Sequence, residues 1–399
     1  MRIVALETLY HRSRPNVVYL RLETDDGIVG LGETFYGGEA VAAYAHEAIA
    51  PLLLGVDPLC RQAINHTLLP YVGRRSAGVE MRGVSAVDMA LWDIAGQASS
   101  QSLVTMLGGA ARDRVPAYNT CAGDDYVRAT QRVDASNWGL QAGGRYDDLR
   151  GFLERPGELA ASLVEDGFHG MKVWPFDQAA REGNGQDISR GALKAGCGIL
   201  AAIREAVGDR IELLLEMHGL WSLPAACRIA EAAAEFRPYW FEDPIQPDNA
   251  RALASFRQHA PSWTAASEML TGVPAYLEFM AAGAMDVAIV DIGWCGGLTE
   301  AVKIAALAEA HAIPITPHDC TGPVQLCVAV AFSATQRNAL AQEMVRAFYR
   351  GWYADFVTDL PPFEDGHLTP LSGPGLGTAL SEQFLADPQV VRRRSCLQR

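Results

Sequence analysis

Residues 239–268 read YWFEDPIQPDNARALASFRQHAPSWTAASE, a short β-rich run ending near Glu242, an Ala-containing helical stretch, and a second β-rich run ending at Glu268. A strand, a helix and a strand in so short a span is the repeating unit of a parallel sheet. The same texture extends in both directions. GFHGMKVW, IELLLEMH, MDVAIVDIG, AIPITPHD and NALAQE are further strand candidates, and their polar terminal residues are Lys172, Glu216, Asp291, His318 and Glu343. With Glu242 and Glu268 these form a series spaced 44, 26, 26, 23, 27 and 25 residues apart. Units of about 25–30 residues are what an eight-stranded barrel of about 250 residues requires. A first strand near VPAYNTC closes the count, and the long first interval accommodates a longer loop and helix.

The chain therefore reads as an α+β region over 1–114 followed by an α/β, eight-stranded TIM-type barrel over 115–355. In the first of these regions VVYLRLETDDGIVGLGE alternates as two strands about an Asp26-Gly27 turn. Ser85 followed by Asp88 resembles a capping box for a helix carrying Val87, Leu91, Ile94 and Ala95 and ending by Gly108-Gly109. A doubly wound sheet is the competing architecture, but no Gly-rich phosphate loop follows any strand.

The chain has 399 residues, 49% of them hydrophobic, and a net charge of −14. Such length and composition support a large core and exclude disorder. The negative charge argues against nucleic acid and anionic membranes as partners. No run of eighteen apolar residues occurs, and Glu7 interrupts the short apolar stretch at the start, so a soluble cytoplasmic protein is expected. Eight cysteines without a CxxC or zinc-like cluster read as reduced thiols. The terminal CLQR fits a prenylation box only superficially.

Barrel geometry aims the terminal residues of all strands at one mouth. Glu216, Glu242 and Glu268 on three successive strands would repel one another unless a divalent cation joined them, and hard oxygen ligands favour Mg²⁺ over Zn²⁺. Asp291 and His318 end neighbouring strands, which lets the carboxylate hold one imidazole nitrogen and leaves the other free as a base. Alternation along a strand puts His218 on the face of Glu216. Lys172, between Met171 and Val173, points inward with Trp174, where it could offset negative charge on a substrate.

At this point the chain resembles the enolase superfamily, in its mandelate-racemase-like branch. ALWDIAGQASSQSLVTMLGG is similar to the branch's capping-domain helix. FEDP, SE, VDIGWCGG, PHD and LAQE look like its successive barrel-strand motifs, and EDGHLTPLSGPGLG resembles its C-terminal return. The resemblance implies a modified TIM barrel of (β/α)7β type over 115–355, an α+β capping domain formed by 1–114 and a C-terminal segment, 356–399, returning to it. It implies Mg²⁺ held by Glu216, Glu242 and Glu268, chelation of a substrate carboxylate, and abstraction of the proton α to it. Glu343 would then hydrogen-bond the substrate carboxylate in its neutral form, with a raised pKa. It also implies a small-molecule sugar acid as partner and a homo-oligomer.

Two departures narrow the reaction. The branch's racemases carry Lys-x-Lys on the second strand, and here the second position is Trp174. Glu216 is followed two residues on by His218, as in acid-sugar dehydratases of the superfamily. The reading is dehydration of an aldonate or aldarate to a 2-keto-3-deoxy acid, with His318 as base, oriented by Asp291, and His218 as general acid. Tyr36 in GETFYGGEA and Arg74 or Arg75 in YVGRRS would meet the rest of the substrate, with Trp174, Trp221 and Trp294 as candidate walls. The alternatives are a racemase or epimerase using Lys172 and His318, a glycoside hydrolase, and a non-catalytic sugar-acid binder.

Overall fold

The computed structural model describes residues 1–126, 128, 138–140, 143–144 and 146–398. Three strands, β1 (Ile3–His11), β2 (Val17–Thr24) and β3 (Val29–Phe35), form an antiparallel sheet whose fourth member comes from the far end of the chain. Between them lie the eight strands of a second, parallel array: β4 (Val115–Thr120), β5 (Gly170–Val173), β6 (Glu212–Glu216), β7 (Trp240–Glu242), β8 (Trp263–Ala266), β9 (Val287–Val290), β10 (Ile315–Pro317) and β11 (Gln342–Met344). Neighbours pair in parallel from β4 through β10. The ring closes because β11 pairs in parallel with β4, and Ile315 bridges to Ala339 just before β11. The architecture is the modified TIM barrel with a capping domain.

Period-2 alternation explains what fills the barrel. The inward set Tyr118, Leu214, Trp240, Ala265, Val287 and Ile289 makes a separate buried cluster. Gly170 belongs to the same level, where a Cβ would lie 2.6 Å from a Leu214 methyl. Two residues further along the same strands come Thr120, Lys172, Glu216, Glu242 and Asp291, all buried. An apolar floor thus supports a polar layer at the strands' C-terminal ends. The alternate residues, among them Met171, Val173, Leu213, Leu215, Phe241, Ala288 and Val290, belong to the main core beneath the helices. Those helices begin where the sequence supplies caps. Ser189, Ser222 and Asn249 accept first-turn N–H groups of the helices Arg190–Val207, Leu223–Ala233 and Ala250–His259. The long interval before Glu216 holds the helices Asp177–Gly183 and Arg190–Val207.

The expected capping box is overturned. The helix runs Val79–Ser99, so Ser85 and Asp88 lie inside it, and Ser100 in left-handed conformation ends it well before Gly108. Both residues serve a different purpose, docking the helix on the barrel. Ser85 Oγ accepts the N–H of Gly296, and Asp88 accepts that of Thr299. Burial pushes the Asp88 carboxyl up to about 6 despite those donors.

After the barrel the tail forms a small hairpin, β12 (Phe363–Glu364) and β13 (His367–Leu368), which pairs antiparallel with β4. The N–H of Leu376 then donates to Asp93 of the long helix, and β14 (Val390–Cys396) completes the first sheet by pairing with β1. All eight cysteines are free. Among the described residues no helix is long and apolar enough to cross a membrane.

The seam between β11 and β4 carries a buried ion pair. Arg346 donates Nη2 and Nε to the two oxygens of Asp148 at 2.6 and 3.1 Å, and Nη1 to Asp166 at 2.8 Å. Arg346→Met leaves Asp148 buried and unpaired, so urea unfolding is expected to show a loss of about 3–5 kcal/mol. A loss below about 1 kcal/mol would contradict this reading of the seam.

Candidate active site

The polar layer gathers the three sequence-nominated glutamates. Glu216 and Glu242 end β6 and β7, Glu268 lies just beyond β8, and one oxygen of each lies within 4.8 Å of the others. Glu216 Oε1 accepts the N–H groups of Met217 (2.9 Å) and His218 (2.7 Å), while Glu242 Oε2 accepts the Trp240 indole N–H at 3.0 Å. Lys172 points inward and lines the cleft with Trp174, and its ammonium also lies among the carboxylates. Its Nζ lies 2.8 Å from Glu242, 2.7 Å from Glu343 and 3.5 Å from Glu216. Burial would lower the Lys172 pKa, but Glu242 and Glu343 outweigh it and hold the ammonium well above its ordinary value.

This donor set fits a hard divalent cation. It offers only carboxylate oxygens, two of the three side chains are buried and Glu268 is half-buried, and the Lys172 ammonium already pairs with Glu216 and Glu242.

The raised pKa expected for Glu343 beside a bound substrate carboxylate is not what its protein neighbours alone favour. Burial alone would raise its carboxyl, but the Lys172 ammonium and the His318 ring outweigh that and hold it below the usual range. Its other contacts are donors too: the N–H of Asp319 at 2.9 Å and the hydroxyl of Thr120.

Asp291 and His318 meet as the strand order implied. Asp291 Oδ2 is 2.7 Å from His318 Nδ1, which leaves Nε2 turned toward the carboxylates, 3.0 Å from Glu268. Gln325 Nε2 donates to the second oxygen of Asp291 at 3.0 Å. The Trp294 ring packs 5.1 Å from the imidazole.

His218 reaches the cleft by a route the sequence did not reveal. β6 stops at Glu216, and His218 itself has φ 47, so a left-handed turn rather than strand alternation swings its ring. Asp177, at the start of the helix Asp177–Gly183, lies 2.5 Å from its Nδ1, and the Tyr126 hydroxyl is 3.3 Å from Nε2. Burial would lower the His218 pKa, but Asp177 and Glu216 raise it to about 9. Neither Asp177 nor Tyr126 was foreseen, because each lies far from His218 in sequence and no local pattern marks it.

Tyr36, Trp174 and Trp294 line the cleft with Lys172, Glu216, Glu268, His218 and His318, whereas Trp221 is buried elsewhere. The indole N–H groups of Trp174 and Trp294 are buried and have no hydrogen-bond partner. Arg74 and Arg75 do not line the cleft. Both are exposed, and Arg75 pairs with Glu278 at 3.5 Å. The cation that does approach is Arg82, over the Trp294 ring at 4.0 Å and the Tyr36 ring at 5.3 Å. It borders an outer chamber of about 440 Å³ that shares Tyr36, His218, Glu268 and Trp294 with the inner cleft. The arginine was missed because the false capping box started the helix too late, at Ser85, leaving Arg82 outside it.

Residues 156–384 match the enolase C-terminal domain-like family, and residues 4–108 the mandelate racemase/muconate lactonizing enzyme N-terminal domain. A D-galactonate dehydratase of Pectobacterium atrosepticum is 29% identical over 397 residues, 97% of this chain and 94% of the relative. Another, of Verminephrobacter eiseniae, is 30% identical over 405 residues, 99% and 95% of the two chains. Among solved structures, an enolase of the mandelate racemase subgroup from Agrobacterium tumefaciens is 41% identical, with a TM-score of 0.89 over 99% of both chains. With both of its parts matched, this chain belongs to the mandelate racemase/muconate lactonizing enzyme branch of the enolase superfamily.

Proposed function

We propose that this protein is a hydro-lyase that dehydrates an acid sugar, an aldonate or aldarate, to a 2-keto-3-deoxy acid with Mg²⁺ as cofactor. The observation that carries the reading is the pair of carboxylate-backed imidazoles on one cleft, His318 with Asp291 beside Glu268 and His218 with Asp177 beside Glu216. Two such groups divide a β-elimination between them. The dehydratase names of the curated relatives point the same way and make a hexonate the first substrate to assay.

Glu216, Glu242 and Glu268 would hold the metal. When bound, a divalent cation there supplies Lewis-acid stabilisation of the negative charge that grows on the substrate carboxylate. His318 Nε2 takes the α-proton, and Asp291 fixes the ring and bears against the positive charge that results. The electron pair left at Cα expels the β-hydroxyl, which leaves as water with the proton delivered by His218. Burial would lower the His318 pKa, but Glu268 and Glu343 hold it well above its ordinary value. With Glu268 committed to a cation, that side of the ring would lose an anionic partner, which favours the neutral base this step needs. His218 would keep Asp177, the largest of the charges that raise its pKa, and with it the preference for the protonated form. Trp174 and Trp294 offer unpaired indole N–H donors to substrate oxygens.

The racemase reading needs a second base on the other face. Lys172 is a poor candidate, since three carboxylates surround its ammonium, and Trp174 occupies the place of the branch's second lysine. Turnover in deuterated water separates the two reactions. Dehydration yields a keto acid with loss of water, whereas α-deuteration with every hydroxyl retained would overturn the proposal.

The two arginine positions give a further test. Arg75→Ala is expected to leave kcat/KM within about twofold, because its exposed ion pair contributes little. Arg82→Met is expected to raise KM about tenfold or more, the equivalent of one hydrogen bond to a charged group at about 1.5 kcal/mol. Steady-state kinetics on the best acid sugar decides. An unchanged KM in Arg82→Met would return the distal end of the substrate to another part of the chamber.

A further inference from the structure

Glu33 has no part in the chemistry above, yet it is a wholly buried carboxylate in the capping sheet. Its oxygens reach across to the barrel. Oε2 accepts the N–H of Val324 at 3.0 Å and Oε1 that of Gln325 at 3.3 Å. These are first-turn N–H groups of the helix Pro323–Thr335, whose own N-cap residue, Gly322, has no side chain to accept them. Only glycine allows the approach, since a Cβ at Gly322 would lie 2.5 Å from Glu33 Oε2. One domain therefore caps a helix of the other.

The capped turn carries Gln325, whose Nε2 donates to Asp291 Oδ1 at 3.0 Å and to the carbonyl of His318 at 3.3 Å. Asp291 in turn holds His318 Nδ1. An unbroken hydrogen-bonded path thus leads from β3 through one helical turn to the ring assigned as the base.

We infer that Glu33 is a positioning residue for the reaction, aligning the Asp291–His318 pair through Gln325 as the capping domain seats on the barrel. The inference rests on the dehydratase reading only for its kinetic readout. Structurally it says that the Gln325–Asp291 contact depends on the acceptor supplied by the other domain.

The test uses the full chain with Mg²⁺. Glu33→Gln keeps the volume but sets an amide N–H₂ against an N–H donor, and Gln325→Met cuts the path at its second joint. Each is expected to lower kcat by about 10–100-fold with KM within about threefold, and to enlarge the isotope effect with α-deuterated substrate. The double variant should be no slower than the slower single, because both act through one path. A crystal structure of Glu33→Gln should show the Gln325–Asp291 hydrogen bond lengthened or lost. Unchanged geometry there, or multiplicative losses in kcat, would overturn the proposal. If Glu33→Gln does not fold, a wild-type kcat in Gln325→Met overturns it alone. An inactive wild-type chain would instead count against the dehydratase reading and leave the crystallographic arm to decide this one.

Discussion

His318→Asn is expected to abolish both α-proton exchange and dehydration, lowering each by on the order of 10⁴-fold, the upper end of what a positioned proton-transfer group supplies. Asparagine keeps a polar group of similar size against Asp291 but has no basic nitrogen to offer where Nε2 stood. The companion change, His218→Asn, should behave differently. It leaves the base and its Asp291 support in place, so exchange of the α-proton with solvent should persist while water loss falls by on the order of 10²–10⁴-fold. Monitoring deuterium incorporation and keto acid in the same reaction separates the two roles. Exchange surviving in His318→Asn and vanishing in His218→Asn would reverse them.

The second large effect concerns the carboxylate cluster. Glu242 is fully buried and is gripped by Lys172 and by the Trp240 indole, so its oxygens cannot be replaced by a neighbour's. Glu242→Gln removes one negative charge from the set and is expected to weaken Mg²⁺ binding by at least the 10–100-fold typical of losing a supporting partner, and to abolish turnover. Calorimetric titration with Mg²⁺ measures the first effect and keto-acid formation the second. The wild-type chain should also be stabilised by the ion. At a hundredfold excess over its dissociation constant, binding contributes about 2.7 kcal/mol, visible as a rise in Tm that Glu242→Gln forfeits. Full activity in the variant, or a Tm indifferent to Mg²⁺, would remove the metal from the proposal.

The layer of functional groups at the barrel mouth was legible because strand periodicity is rigid. Lys172, Glu216, Glu242 and Asp291 each lie two residues beyond an inward member of the apolar floor, so a one-dimensional count translates into a three-dimensional face. Where the backbone leaves the strand, the count loses its meaning. His218 arrives through a left-handed residue, and its partner Asp177 comes from a helix start 41 residues away. The same limit applies to the reading of charge. Glu343 was expected to be neutral by likeness to relatives, and its ionisation depends also on Lys172 and His318, which reach it from other strands. Ser85 and Asp88 have the spacing of a cap but face the barrel loop, and only the docked domain shows why a helix interior spends a hydroxyl and a carboxylate there. Arg82 on the same helix was hidden because the supposed cap at Ser85 placed the helix start after it.

The most direct test is to incubate the Mg²⁺-loaded protein with a panel of aldonates and aldarates, assay 2-keto-3-deoxy acid, and repeat after chelation. At least one acid sugar should be converted, at a rate within the ordinary enzymatic span of about 1–10³ s⁻¹, with the activity lost on stripping the ion and restored by Mg²⁺. Turnover that survives chelation, or a metal-loaded chain that inverts its substrates without releasing water, would contradict the assignment.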